Sequence, residues 1–363
     1  MAKKKYVQEE SEDSSRIVKE ILITFVVIIA FLFIFSMFFS ADKNEVVEIS
    51  DGTCGDGSIN GTCSERKPFF CSNDKLVEMS SLCGCPKNSN VQDEICVSKF
   101  QNQPNNLTLK YILRGEENEI NYTAYYGLVK YMNELPLFIS SNQNQKPSRA
   151  DFKLRNLNNE EQKFLLSPLV AKIQNIGKNG EDQVRIAVSI VQNIPWGISN
   201  NVDEFRGVVL NHSRASYEVL YDEEGICGEK SELLAFLLRD LGYGVALFYN
   251  QEENHESIGI KCPVEKSWRN SGYCFVETSG PAIISDISIP YANGLSLKSE
   301  PQVFVLSEGN SLGEDLYEYE DAEKIMDIRK SANGKGFFFN PWKFFELKKL
   351  EKKYGLAKRY EAG

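Results

Sequence analysis

The sequence is short of positive charge. Its 41 Lys and Arg residues are outnumbered by 51 Asp and Glu residues, which leaves a formal net charge of −10. Proteins that bind nucleic acid need a basic surface to neutralise phosphates. We therefore expect no nucleic-acid partner.

The chain also lacks internal repeats and low-complexity tracts, and it has little histidine. Only two histidines occur in 363 residues, His212 and His255. Hydrophobic residues make up 42% of the chain and charged residues 25%. This composition excludes a disordered chain and suffices for one large or two modest domains with hydrophobic cores.

One uncharged apolar run stands out near the N-terminus. Residues 21–41 read ILITFVVIIAFLFIFSMFFSA, long enough as a helix to cross a hydrocarbon core of about 30 Å. A cleavable signal peptide is the alternative, but its apolar region spans only about 7–15 residues and needs small residues before the cleavage site. Phe38 and Phe39 occupy those positions, which favours an uncleaved transmembrane anchor.

The charges around this run predict its orientation. Only Lys43 closely follows the run, whereas five basic residues precede it: Lys3, Lys4, Lys5, Arg16 and Lys19. The positive-inside rule then places the N-terminus in the cytoplasm and the rest of the chain outside the cell membrane. Four N-glycosylation sequons agree with an exported surface, and they lie at Asn60, Asn106, Asn121 and Asn211.

Cysteines are concentrated in a segment that is poor in aliphatic residues. Such a segment cannot build a sufficient core, so disulfides are the natural interpretation outside the cell. A zinc site is the alternative, but Cys83-Gly-Cys85 lacks the two-residue gap typical of zinc ligands. Six cysteines allow many pairings, and the sequence does not select among them. They are Cys54, Cys63, Cys71, Cys83, Cys85 and Cys96.

Another cysteine, Cys227, stands between Gly225 and Gly228 just before an amphipathic run that Gly242 ends. The pattern predicts a helix that begins close to Cys227. Unpaired amides and the macrodipole at a helix N-terminus favour a thiolate, the nucleophilic form of cysteine. The alternative is a buried cysteine that only packs in the core.

Two strand-like segments follow this helix. His255 begins the first, and Glu277 lies at the end of the second, where a carboxylate could orient the imidazole and stabilise its protonated form. Asp286, or no acid at all, is the alternative to Glu277. Cys262 and Cys274 bracket the turn between the strands and could pair across a hairpin, which would leave Cys227 as the odd thiol.

With its order Cys, His, acid, the chain resembles the transglutaminase-like superfamily of papain-type cysteine enzymes. More narrowly, it resembles the membrane-anchored archaeal members of that superfamily. The matching segments are GICGE at 225–229, NHESIGIKC at 254–262, FVETSGP at 275–281 and VQNIPW at 191–196. The resemblance covers roughly residues 155–292. Glu277 stands where the family usually has Asp, so the extra methylene must be accommodated.

The resemblance implies an α+β fold in which a helix bearing the cysteine packs on an antiparallel sheet. It also implies acyl transfer from an amide, with catalytic Cys227, His255 and Glu277 and a thioester that water or another amine resolves. The backbone N–H of Cys227 is one candidate oxyanion donor, and Trp196 or Tyr221 could supply a second. We expect a protein or glycopeptide substrate at the cell surface and no cofactor or metal. A catalytically silent binding module is the alternative function.

The sequence divides into six parts: a cytoplasmic tail (1–20), an anchor (21–41), a disulfide-rich module (42–101), a connecting α/β segment (102–154), a transglutaminase-like domain (155–300) and a C-terminal extension (301–363). The extension ends in a basic amphipathic helix with Trp342, Phe345, Leu350 and Tyr354 available to one side. This helix could lie on an anionic membrane or pack on its own domain, and we favour packing.

Overall fold

The structure, a computed structural model, describes residues 52–136, 138–139, 146–289, 296–333 and 341–357. These residues belong to the second of two units, Asp51–Gly363. The predicted anchor at 21–41 lies outside the described residues. Within the described ranges, no helix combines the length and the apolar character needed to cross a membrane.

The described elements form a mixed α+β arrangement, as the sequence predicted at the level of fold class. The helices are α1 (Ser80–Cys83), α2 (Tyr126–Asn133), α3 (Arg149–Leu157), α4 (Glu160–Ile176), α5 (Gly180–Asn193), α6 (Ser216–Asp222), α7 (Cys227–Asp240), α8 (Tyr317–Asn333) and α9 (Pro341–Tyr354). The strands are β1 (Phe69–Ser72), β2 (Lys75–Glu78), β3 (Ser89–Gln92), β4 (Ile95–Ser98), β5 (Pro104–Leu113), β6 (Glu116–Tyr125), β7 (Val202–Phe205), β8 (Val208–Asn211), β9 (Val245–Asn250), β10 (His255–Lys261), β11 (Tyr273–Val276) and β12 (Gln302–Ser307).

Disulfides hold the segment that contains β1–β4. They join Cys54 to Cys71, Cys63 to Cys83 and Cys85 to Cys96. The short hairpins β1–β2 and β3–β4 bury few aliphatic side chains, so covalent bonds replace the core that such a segment cannot build.

This disulfide-rich segment is fastened to the helices that follow it. Ala171 of α4 shares a buried cluster with Phe69 and Leu76. The side chain of Asn175 exchanges two hydrogen bonds with the backbone of Leu76, at 2.7 and 2.8 Å. The Arg66 guanidinium donates to Gln174 and to the Asp240 carbonyl. The segment is therefore part of the same packed body as α4 and α7.

Helix α7 lies at the centre of the hydrophobic core. It begins at Cys227, as the pattern predicted, and Gly242 follows its end with a φ of +90°, a backbone conformation that favours glycine. Five apolar side chains of its middle turns are fully buried, because α5, α6 and the main sheet cover them. They are Leu233, Leu234, Phe236, Leu237 and Leu238.

The main sheet has four antiparallel strands in the order β11-β10-β9-β12. Strand β10 pairs with β9 through His255 opposite Asn250, and with β11 through Ile258 opposite Val276. Helix α7 packs against β9 and β10. The start of β10 and the end of β11 lie side by side, because the two strands are antiparallel. The start of α7 therefore meets both of them at one end of the sheet.

The sheet extends past residue 300, where the sequence placed the end of the domain. Strand β12 pairs with β9, with Phe304 opposite Leu247. Only Leu306 of this strand is buried, so the strand lacks the regular apolar alternation that would have revealed it.

Helix α9 packs on its own domain by one face. Leu350 is buried in a cluster with residues of α8, and Tyr354 packs beside it. Trp342 and Phe345, which the sequence grouped with these two residues, are 81% and 67% exposed. The four side chains thus point in two directions around the helix rather than one.

Candidate active site

The structure brings Cys227, His255 and Glu277 together. Cys227 is the first residue of α7, His255 is the first residue of β10, and Glu277 directly follows β11. Each side chain therefore projects from the end of a regular element. Residues on packed helices and strands are held more rigidly than residues on loops.

His255 and Glu277 form a buried pair. His255 Nε2 lies 2.8 Å from Glu277 Oε2, and the two residues are only 2% and 1% exposed. This distance is typical of a charge-assisted hydrogen bond. The extra methylene of Glu relative to Asp is therefore accommodated.

Glu277 is held in its charged form. Its other oxygen, Oε1, accepts hydrogen bonds from the backbone N–H groups of Thr278 (2.9 Å) and Ser279 (2.8 Å). Burial raises the pKa of Glu277, but the charge of His255 and the hydrogen bonds from His255 and Ser279 outweigh it and lower the pKa to about 2. At neutral pH the carboxylate is ionised and faces the imidazole.

His255 is correspondingly held protonated. Burial lowers the pKa of His255, but the Glu277 carboxylate and a hydrogen bond with the Cys227 side chain outweigh it and raise the pKa to about 10. Because Nε2 is engaged by Glu277, Nδ1 is the ring nitrogen that serves the thiol. The arrangement suits a thiolate–imidazolium pair, the state from which a cysteine nucleophile acts.

Cys227 is the free cysteine of the described chain, and its side chain is partly exposed. The other eight cysteines are all joined in disulfides. One of these bonds links Cys262 to Cys274, at the far ends of the strands that carry His255 and Glu277. The structure therefore has four disulfides and leaves Cys227 as the odd thiol, as the sequence indicated.

A buried carboxylate fixes the start of α7. Glu229 accepts hydrogen bonds from the backbone N–H groups of Ile226 (3.1 Å) and Arg214 (2.9 Å), and the Arg214 guanidinium lies 3.3 Å from it. These contacts hold Cys227 in register with the segment before α6. Glu229 is the last residue of the GICGE segment that carries the family resemblance, but no capping role was predicted for it, although an acidic side chain three residues after the helix cap is a recognised signal.

Polar side chains tie this helix start to the segment around Glu277. Ser231 Oγ lies 2.9 Å from Thr278 Oγ1, and Thr278 donates to the Cys227 carbonyl at 3.3 Å. Gln192 of α5 donates to the Glu277 carbonyl at 2.8 Å and accepts from the Ala282 N–H at 3.2 Å. Nothing local in the sequence marks these residues, because their burial depends on how distant elements pack.

The alternative acid, Asp286, serves another part of the fold. It forms an ion pair with Arg329 of α8 and accepts hydrogen bonds from Ser288. Glu277 is therefore the carboxylate that the structure brings to His255.

Of the candidate second oxyanion donors, Tyr221 packs against Tyr126, with ring centroids 5.9 Å apart. Trp196 lies beside the helix start, because its neighbours Pro195 and Gly197 both exchange backbone hydrogen bonds with Gly225. The backbone around Trp196 is thus tied to the segment that leads into α7, whereas Tyr221 is engaged with another aromatic ring.

The other histidine, His212, is engaged by two carboxylates. Its Nδ1 lies 3.0 Å from Asp203, and its Nε2 lies 2.9 Å from Glu218. Both ring nitrogens of His212 are therefore used in an ion-paired contact between the β7–β8 hairpin and α6. His255 is thus the histidine that is the candidate for proton transfer.

An open cavity of about 340 Å³ lies beside Cys227. Arg149, Phe152 and Lys153 of helix α3 line it together with Asn254 and Glu256, and Glu256 is ion-paired with both Arg149 and Lys153. These three residues of α3 fall in the predicted connecting segment (102–154), to which no role at the site was assigned. A larger cavity of about 540 Å³, between the disulfide-rich segment and α4, contains none of the three candidate catalytic residues.

Comparison with known proteins adds little to this geometry. No protein-family model matches the sequence, and no curated protein matches it either. Among solved structures, the calcium-bound LapG of Legionella pneumophila aligns with 46% of this chain and 98% of its own, at 15% identity and a TM-score of 0.21. A TM-score this low does not establish a common fold and says nothing about the activity of this chain.

Proposed function

We propose that this protein is a cysteine-dependent enzyme that acts on amide bonds by hydrolysis or acyl transfer. The observation that carries the proposal is the buried pair of His255 and Glu277, 2.8 Å apart, next to an unpaired cysteine at a helix N-terminus. A helix that presents the cysteine to an antiparallel sheet also supports the resemblance to transglutaminase-like, papain-type enzymes.

The first half of the reaction forms a thioester. The Cys227 thiolate attacks the amide carbonyl carbon, and the negative charge passes to the carbonyl oxygen, where the Cys227 N–H can donate. As the C–N bond breaks, the imidazolium of His255 gives its proton to the departing nitrogen, so a neutral amine leaves. Glu277 holds the ring in orientation and stabilises its protonated form.

The second half of the reaction resolves the thioester. His255, now neutral, removes a proton from water or from an acceptor amine as it attacks the thioester carbonyl. The C–S bond breaks, the thiolate returns, and the product is a carboxylic acid or a new amide. The geometry serves both acceptors, and the open cavity of about 340 Å³ beside Cys227 leaves room for either.

We further propose that the enzyme is anchored in the cell membrane by residues 21–41, faces the outside and acts on proteins or glycopeptides there. The uncharged run in the sequence and the basic residues before it support this location. Four disulfides support it as well, because such bonds persist in oxidising compartments.

The proposal is tested by covalent capture with an electrophilic peptide amide analogue on the full-length protein in detergent. We expect modification at Cys227, located by peptide mass mapping, with no capture in Cys227→Ala and severely slowed capture in His255→Ala. His212→Ala is the matched control and should react like the wild type. If His255→Ala and wild type react at equal rates, or if Cys227 is not captured, the catalytic proposal fails and a binding module takes its place.

A further inference from the structure

A lysine is wholly buried one helical turn after Cys227. Lys230 is 0% exposed, although a charged ammonium is among the groups that cost most to remove from water. The sequence pattern placed it on a helix without assigning it a role. Its burial therefore needs a compensating arrangement.

The Lys230 ammonium links three separate segments. Its Nζ donates to the Ile194 carbonyl at the end of α5 (2.6 Å) and to the Ser279 carbonyl (3.2 Å). Ser279 is also the residue whose N–H bonds Glu277. Lys230 thus fastens the turn that holds the Glu277 carboxylate to the first turn of the helix that holds the thiol.

The Lys230 charge also acts on the reacting groups. Burial lowers the pKa of Lys230 to about 7, against the opposing influence of the negative charges on Glu277 and Cys227. Glu277 lies on the loop after β11 and Cys227 lies on the same helix as Lys230, and His255 of β10 interacts with both of them. Because the attraction is mutual, the Lys230 ammonium stabilises negative charge on the Glu277 carboxylate and on the Cys227 sulfur.

We propose that Lys230 is a positioning residue of the active site, which locks the Glu277 turn against α7 and supplies the positive charge that favours the Cys227 thiolate. This inference rests on the proposed function. The Cys227 thiol and the imidazole of His255 carry out the reaction, and Lys230 acts through them. The charge contribution is present below about pH 7 and fades above it, since the ammonium then loses its proton.

The test measures the rate of Cys227 alkylation by iodoacetamide against pH in the full-length protein. At about pH 6 we expect Lys230→Met to react roughly tenfold more slowly than wild type, and at about pH 9 the two rates should converge. Lys230→Gln keeps a hydrogen-bond donor without the charge, so it should show the same change. Lys230→Arg keeps the charge and should recover part of the rate at about pH 6.

The matched control is Ser231→Ala. Ser231 lies in the same helical turn as Lys230 and contacts Thr278, so this substitution removes a contact to the Glu277 turn without removing a charge. It should lower the rate by the same factor at every pH.

Circular dichroism and disulfide mapping verify folding, and if Lys230→Met misfolds, Lys230→Gln carries the test. A fast wild-type reaction with parallel profiles for all Lys230 variants would overturn this inference alone. A wild-type Cys227 that reacts no faster than free N-acetylcysteine would overturn the proposed function and the inference with it.

Discussion

Glu277 offers the sharpest test at the scale of single residues. Glu277→Gln keeps the size and most hydrogen bonds but removes the charge that raises the pKa of His255. We expect the protein to fold and Cys227 capture to slow by roughly tenfold or more, because the imidazolium loses its partner. The measurement is the capture rate at neutral pH, normalised to folded protein.

Asp286→Asn is the matched control for this change. It also removes a buried carboxylate charge, but its partner is Arg329 of α8. We expect it to lower stability while the capture rate per folded molecule stays the same. A normal rate in Glu277→Gln would reduce Glu277 to a structural residue and leave a Cys–His pair.

The sequence was sufficient to predict that Cys227 and His255 meet, and it favoured Glu277 as the acid while leaving Asp286 open, but it did not predict what supports these residues. Cys227 and His255 could be placed at the start of a helix and of a strand because periodicity locates such boundaries. Lys230, Gln192 and Ser231 could not be identified, because a polar residue on a helix is assumed to face water until distant elements are known to cover it.

At the scale of elements, the Cys262–Cys274 disulfide closes the hairpin whose strands carry His255 and Glu277. Replacing both cysteines by Ser should lower the free energy of unfolding by about 2–4 kcal/mol, because the unfolded chain gains freedom. It should also slow Cys227 capture, since the two strand ends then move more independently. Urea unfolding and the capture rate measure the two effects separately.

The disulfide between Cys85 and Cys96 is the matched control. It spans 11 residues, against 12 for Cys262 and Cys274, so the two double substitutions should cost similar stability. Only the pair in the hairpin should affect capture. Equal capture rates in both variants would show that the hairpin bond has no part in ordering the site.

Elements with strong periodicity were predictable, and those without it were not. Helix α7 and the strand that begins at His255 follow from apolar spacing and a glycine cap. Strand β12 shows almost no buried alternation and joins the sheet through backbone pairing with β9. The sequence likewise did not predict how the six cysteines of the disulfide-rich segment pair, because pairing depends on which Cβ atoms approach one another in the folded chain.

For the molecule as a whole, His212 makes stability depend on pH. Its hydrogen bond to Glu218 is the largest influence that raises the pKa of His212, to about 9, in spite of burial. Because the pKa is raised in the folded state, the protonated imidazole contributes to the free energy of unfolding. This contribution is complete below the unfolded pKa of about 6.5 and is lost as pH rises through 9. His212→Gln should therefore cost about 2 kcal/mol at about pH 6 and little at about pH 10.

Urea unfolding of wild type and His212→Gln at both pH values measures this difference. The variant keeps Cys227, His255 and Glu277, so its capture rate at neutral pH should match the wild type while it remains folded. A cost that is equal at both pH values would mean that His212 contributes by packing alone.

Strand β12 has a consequence for any shortened form of the protein. A chain that ended at residue 300 would contain Cys227, His255 and Glu277 but would leave the backbone of β9 without its partner on that side. Open sheet edges recruit strands from other molecules. Such a fragment should form oligomers during purification and could be mistaken for an inactive enzyme, whereas a fragment that runs through α8 keeps β9 paired with β12 and should stay monodisperse.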